Sequence, residues 1–242
     1  MAGSTGSGLF VVCVHDVHPG TLPEILPVLD AVRPLVGNAV ALAVTPKPDG
    51  LAWPTGAATD VLRRALNESA GEVLLHGLTH RRRWSLDPLS WLIGRADELV
   101  GLPRAQVLAR TREGLEVLRA RVGREVRGVV PPGWRSGYLR ELLGALDLSF
   151  LVGMGTLVTA SGTRRALATW SWDAGPVAAA GWMLEWAGSA MARGAATPVV
   201  VVHPADVKRG FLPRALKRIR QLLDDGRVPV SFETLAASME RP

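Results

Sequence analysis

A chain of 242 residues, 48% of them hydrophobic, is the size of one α/β domain and can cover a sheet on both faces. Its net charge of +6 is nearly all arginine, since Lys47, Lys208 and Lys217 are the lysines. Those arginines fall at helical spacings among Leu and Ala, as on solvated helix faces, which argues against a nucleic-acid-binding stripe.

Residues 1–8 read as a flexible leader, without the basic and apolar regions of a secretory signal. Leu9–Val14 is a continuous apolar run, the mark of a strand buried on both faces. Within it Cys13, the lone cysteine, has no partner for an internal disulfide and reads as a buried thiol. Leu22–Leu35 has helical apolar spacing, with Thr21 as N-cap and Pro23 in the first turn. Ala39–Val44 is strand-like and closes on the turn residues TPKPDG. Thr59–Asn67 reads as a helix and Glu72–Leu75 as a strand running into His76. Residues 77–102 read as a loop rich in Arg and Trp, lying over the strand ends. Pro103–Val122 is the clearest helix, followed by a strand over Gly128–Val130, a PPGW turn and a helix over Tyr138–Leu146. Phe150–Met154 and Thr156–Val158 are short candidate strands, and the pattern over 153–197 is weak. Pro198–Val202 is a buried strand, Leu212–Leu223 a helix and Val228–Val230 a last short strand. This alternation predicts parallel strands joined by crossover helices in a single domain over 1–242. No apolar run reaches the length of a membrane span, so a soluble, cytoplasmic protein is expected. Nothing in the pattern bears on oligomeric state.

All five histidines sit at strand ends: His15 and His18 in VVCVHDVHPG, His76 and His80 in EVLLHGLTH, and His203 in VVVVHPAD. In parallel α/β folds, functional residues gather at the C-terminal ends of the strands. His76 and His80, four apart, can converge on one ion if a helical turn follows the strand. Asp16, at the rim of another strand, completes a His₂Asp set with open positions for water and substrate. Such a set suits zinc, with cobalt, nickel or manganese as alternatives. A histidine ending the VVVV strand, as His203 does, is by itself a capped core histidine; beside a metal site it becomes a candidate general acid. Asp16-Val17-His18 also fits the D-x-H opening of binuclear metallophosphoesterases, but the GD and GNH segments such enzymes need are missing. His18 is therefore read as a rim or supporting residue. The tryptophans of 84–91 and 170–186 can stack on sugars but are more often packing residues.

The ordered set HD, HGLTH, VVPPGW, VVHPAD resembles the polysaccharide deacetylase (NodB-homology) superfamily, and is nearest to its DUF2334-like branch with an HDVxP first motif. The resemblance runs from about Leu9 to Phe232 and includes the helix around ADELVGLPRAQVLARTREGLEVLRA. It implies a distorted (β/α) barrel and a metal-dependent deacetylase acting on the amide of an N-acylated sugar or related small molecule. It implies Asp16, His76 and His80 as metal ligands, His15 in the position of the catalytic base and His203 as the acid that protonates the leaving amine. Pro132 and Trp134 fall where the family forms a groove wall, and Asp173 in TWSWDAGP is a candidate to orient His203. Two departures stand out. The family's aspartate base is His15 here, and the arginine that steadies that aspartate is Val130. The losses are mutually consistent, because a neutral histidine needs no cationic partner. The rival reading on the same fold is a non-catalytic carbohydrate- or ligand-binding protein.

Overall fold

The computed structural model describes residues 8–68, 71–81, 98–172 and 196–240. Eight strands close into a barrel: β1 (Leu9–Val17), β2 (Val40–Val44), β3 (Glu72–Leu75), β4 (Gly128–Val129), β5 (Phe150–Val152), β6 (Thr156–Thr159), β7 (Arg164–Trp170) and β8 (Thr197–Val202). They pair in that order around the ring, and β1 closes it by pairing with both β2 and β8. A ninth short strand, β9 (Val228–Pro229), lies beside the start of β1. Helices α1 (Leu22–Val36), α2 (Ala57–Glu68), α3 (Arg104–Val122) and α6 (Leu212–Asp224) cover the outside, and α4 (Leu139–Leu142), α5 (Pro204–Lys208) and α7 (Phe232–Met239) are shorter. The expected strand–helix alternation fails over one stretch. β6 pairs antiparallel with both β5 and β7, so a meander replaces two crossovers, and this is the distortion of the barrel. The expected helix over 138–146 is α4 followed by a separate 3₁₀ turn, Gly144–Leu146.

Residue parity sorts the side chains. On β1, Phe10, Val12 and Val14 face outward and pack under α1 through Ile25, Val28, Leu29 and Val32. Val11 and Cys13 face inward with Ala41, Ala43, Leu74, Val199 and Val201. The interior is narrow, and Gly128 shows how narrow: a Cβ there would lie 2.3 Å from the Phe150 ring. The N-terminal end of the barrel is stopped by α7, whose Phe232, Leu235 and Ala236 belong to the interior cluster. Glu72, at the start of β3, faces inward at that end and accepts the N–H groups of Phe232 (3.0 Å) and Glu233 (2.8 Å). Burial pushes its carboxyl up to about 8 in spite of those two bonds. The other end of the barrel is left for the histidines.

Candidate metal centre

Parity carries His15, His76 and His203 into the barrel mouth, each two residues beyond an inward apolar residue (Cys13, Leu74, Val201). Asp16, the next residue after His15, should by the same rule face outward. A β-bulge redirects it: three steps of β1 from Val14 to Val17 match two steps of β2 from Leu42 to Val44. At the bulge Asp16 adopts φ 54°, a left-handed conformation. The bulge is held by Thr21, whose hydroxyl donates to the Asp16 carbonyl at 2.7 Å.

His76 extends the β3 ladder, its N–H donating to Val44 O at 2.8 Å. The chain then leaves the strand without the expected helical turn. Gly77 (φ 69°) and His80 (φ 51°) bend it back. Lys47 and Asp49 of the turn after β2 donate their N–H groups to Leu78 O and Thr79 O. The Asp16 Oδ1 then lies 3.2 Å from His76 Nε2 and 3.1 Å from His80 Nε2. Two ligand atoms on one tetrahedral zinc, with bonds of about 2.0–2.1 Å, stand about 3.3 Å apart, so these edges match a metal-binding triangle. Among the described residues this is the one group of three such side chains whose ligand atoms converge.

Hydrogen bonding fits the same reading. His76 Nδ1 lies 2.8 Å from the Val130 carbonyl, which takes its proton there. In a neutral ring, the Nε2 lone pair therefore faces the Asp16 carboxylate. Two acceptors in contact need a cation between them, and Asp16 Oδ1 is buried without a hydrogen-bond partner. Burial opposes ionisation of Asp16, and only when the His76 and His80 rings carry a proton towards it do they outweigh burial and hold the carboxyl well below the usual range. Burial lowers the His80 pKa, against the pull of Asp16. The residues present thus fit a divalent ion.

His15 lies beside the triangle, 2% exposed, its ring 4.7 Å from that of His76, 4.8 Å from Trp134 and 5.0 Å from His203. Its Nε2 has no partner. Burial first, then the neighbouring His76 and His203, push its pKa well below the usual histidine value, which favours the neutral ring. His203 precedes α5, and its N–H donates to the fully buried Asp206 (2.8 Å). The Asp206 carboxylate also sits 3.7 Å from His203 Nδ1, too far for a hydrogen bond.

Pro132 is buried, its ring over Gly77, while Trp134 is half-buried at φ 62° against His15. In that turn the Trp134 and Arg135 N–H groups bond to Pro131 O and Pro132 O, which leaves the Gly133 N–H without a partner among the described residues. His18 stands apart from the triangle, its Nδ1 accepting from Gly20 N–H at 3.1 Å as the cap of the Pro19–Thr21 turn. Asp173 lies outside the described residues, as do Trp84, Trp91, Trp182 and Trp186; Trp170 and Trp172 are buried. Asp16, His80 and Trp134 are three of the five non-glycine residues with positive φ among those described, a concentration of backbone strain typical of functional sites.

Sequence reasoning gave no role to Asp206 or to Glu98. Asp206 stood in view within VVHPAD, three residues beyond His203 in the i, i+3 spacing of a capping pair. Glu98 carried no such signal, because its partners are backbone N–H groups.

No family model and no curated protein matches the chain. Solved structures do. A family 4 carbohydrate esterase from Streptomyces lividans, in complex with acetate, superposes with a TM-score of 0.56 over 93% of this chain and 92% of its own, at 17% identity. The peptidoglycan deacetylase PdaC from Bacillus subtilis gives 0.54 over 94% and 89%, at 15% identity. The fold is that of the family 4 carbohydrate esterases and peptidoglycan deacetylases. A family 4 pseudoenzyme from Bacillus anthracis shares it too, with a TM-score of 0.55 over 97% of this chain and 67% of its own, at 12% identity. The deacetylase-type barrel is therefore common to catalysts and to a chain described as non-catalytic.

Proposed function

We propose that the protein is a metal-dependent hydrolase that removes an acyl group, acetyl above all, from an N-acylated sugar or related amide. The observation that carries this reading is the convergence of Asp16 Oδ1 with His76 Nε2 and His80 Nε2 beside the buried, partnerless His15 Nε2. The likeness to an esterase solved with acetate and to a peptidoglycan deacetylase supports the reaction class.

Asp16, His76 and His80 would hold the ion, zinc in the first place and cobalt, nickel or manganese otherwise. Once bound, such an ion polarises a carbonyl and lowers the pKa of a water towards about 7. The chain's own residues do the rest. Neutral His15 takes the proton from the attacking water through Nε2, the role an aspartate fills in the resembling family. The Gly133 N–H donates to the developing oxyanion. His203 passes a proton to the departing amine, its backbone N–H held by the Asp206 carboxylate. Trp134 walls the site beside His15.

A binding protein without catalysis is the second reading, supported by the pseudoenzyme of the same fold and by the exchange of an aspartate base for His15. The deciding experiment measures metal in protein purified without chelator or nickel resin, for the wild type and Asp16→Ala, and assays both on N-acetylated sugars. About one ion per chain, lost in the variant together with acetate release, establishes the hydrolase. Metal without turnover favours the binding protein, and no metal uptake sinks both the ligand set and the mechanism.

A further inference from the structure

The loop that presents His80 is wrapped around a carboxylate. Three successive backbone N–H groups, of Leu78, Thr79 and His80, donate to the two oxygens of Glu98 at 3.1, 2.9 and 2.7 Å. Glu98 is fully buried, and the guanidinium of Arg110 on α3 meets its Oε1 at 3.1 Å. Arg110 also reaches the Thr79 hydroxyl at 3.4 Å, so the pair grips the loop by backbone and side chain together. The approach is close enough to exclude a side chain at Gly77: a Cβ there would lie 2.7 Å from Glu98 Oε2 and 2.5 Å from the Pro132 ring. A run of N–H groups folded on one anion is a backbone nest. Here the chain supplies its own anion.

We propose that Glu98, steadied by Arg110, is the positioning residue of the metal centre, acting on His80 through the backbone. This rests on the metal reading of Asp16, His76 and His80. The shortest of the three nest bonds is to the N–H of His80 itself, a residue held at φ 51°. A left-handed histidine returns to an ordinary conformation unless its surroundings hold it, and that return swings the ring away from Asp16. Partners one step beyond the ligands commonly govern metal affinity by about 10–100-fold. They usually act by a hydrogen bond to the ligand ring. At His80 the grip is on the ligand's main chain.

The test uses the full chain as wild type, Glu98→Gln and Arg110→Gln, at a temperature where circular dichroism shows all three folded. Cobalt(II) is titrated against a competing chelator while its visible absorption is recorded, and amide hydrogen exchange of residues 78–80 is followed without metal. Glu98→Gln keeps the size of the side chain but offers one acceptor oxygen and turns an NH₂ towards a backbone N–H. Cobalt affinity falls about 10–100-fold in this variant with a changed visible band, and exchange at 78–80 speeds up about tenfold or more. Arg110→Gln moves both readouts the same way by less, and decides the matter if Glu98→Gln does not fold. Wild-type affinity, spectrum and protection in the variants overturn the proposal. If the wild type binds no cobalt, the metal reading falls instead. Exchange at 78–80 then decides alone whether Glu98 holds the loop.

Discussion

Replacing Asp16 by asparagine keeps the shape of the side chain and reverses the sense of one contact. In the neutral metal-free protein, His76 spends its Nδ1 proton on Val130, so its Nε2 lone pair meets a carboxylate oxygen at 3.2 Å. An asparagine amide puts an N–H donor at that place and turns opposition into a hydrogen bond. A buried bond of this kind is worth about 1 kcal/mol net, and asparagine tolerates the left-handed backbone at position 16 at least as well as aspartate. For a domain of this size, 1 kcal/mol moves the midpoint by about 2–4 °C. The variant should therefore unfold about 2–4 °C above the wild type in chelator at pH 8. With zinc the order inverts: a ligand at 100 times its Kd stabilises the wild type by about 2.7 kcal/mol, and the variant, short of an anionic ligand, gains far less. Thermal unfolding of both proteins with chelator and with zinc checks this. An Asp16→Asn protein less stable than the wild type in chelator would refute the opposed-acceptor argument, and equal zinc stabilisation of the two would refute the ligand assignment.

His15→Ala and His203→Ala should each lower kcat on a cleaved N-acetyl substrate by about 10²–10⁴-fold with metal content kept, as assay and elemental analysis of the same samples will show. Glu72 bears on stability. Its carboxyl rises from 4.5 to about 8 on folding, so the neutral form is favoured in the barrel. The associated stability is fully present below pH 4.5 and is lost as pH rises to about 8, a span worth about 5 kcal/mol. In Glu72→Gln that slope disappears, so urea unfolding should find the variant weaker than the wild type at pH 5 and level with it or stronger at pH 9; parallel curves would show that Glu72 does not titrate in this range. Gly128→Ala should cost about 1–3 kcal/mol, read by urea unfolding, because its Cβ meets the Phe150 ring inside a closed barrel.

Much of the barrel is written in its apolar runs. Leu9–Val14 and Pro198–Val202 read as buried strands because both of their faces are covered, one by helices and one by the interior. The histidines were legible for the same reason: parity aims the next polar residue inward. Other features leave no such trace. β7 opens with Arg164 and Arg165, which hide a strand whose second half is fully buried. β6 was seen as a strand, but its antiparallel direction has no signature in four residues. The bulge at Asp16 is a property of pairing with β2, invisible in β1 alone. α7 does leave a sign in Ser231, which caps it by accepting the Thr234 N–H. Within the site, side-chain ligands could be picked out by type, whereas Glu98 works on peptide groups that every residue carries.

β1 pairs with β2, with β8 and with β9, so the barrel strand that comes first in the chain is also the one that closes the ring. About 180 residues separate β1 from β8, and the stopper α7 comes later still. A nascent chain can join β1 to β2 early, but the barrel closes over their inward faces only once Thr197–Val202 has left the ribosome to pair with β1. His15 and Asp16 thus reach their place near His203 only after β8 has been made. Such long-range closure folds slowly and leaves apolar strands exposed in the meantime. A chaperone that shields β1 and β2 would be expected to raise the yield of this protein more than that of a helical bundle of equal length.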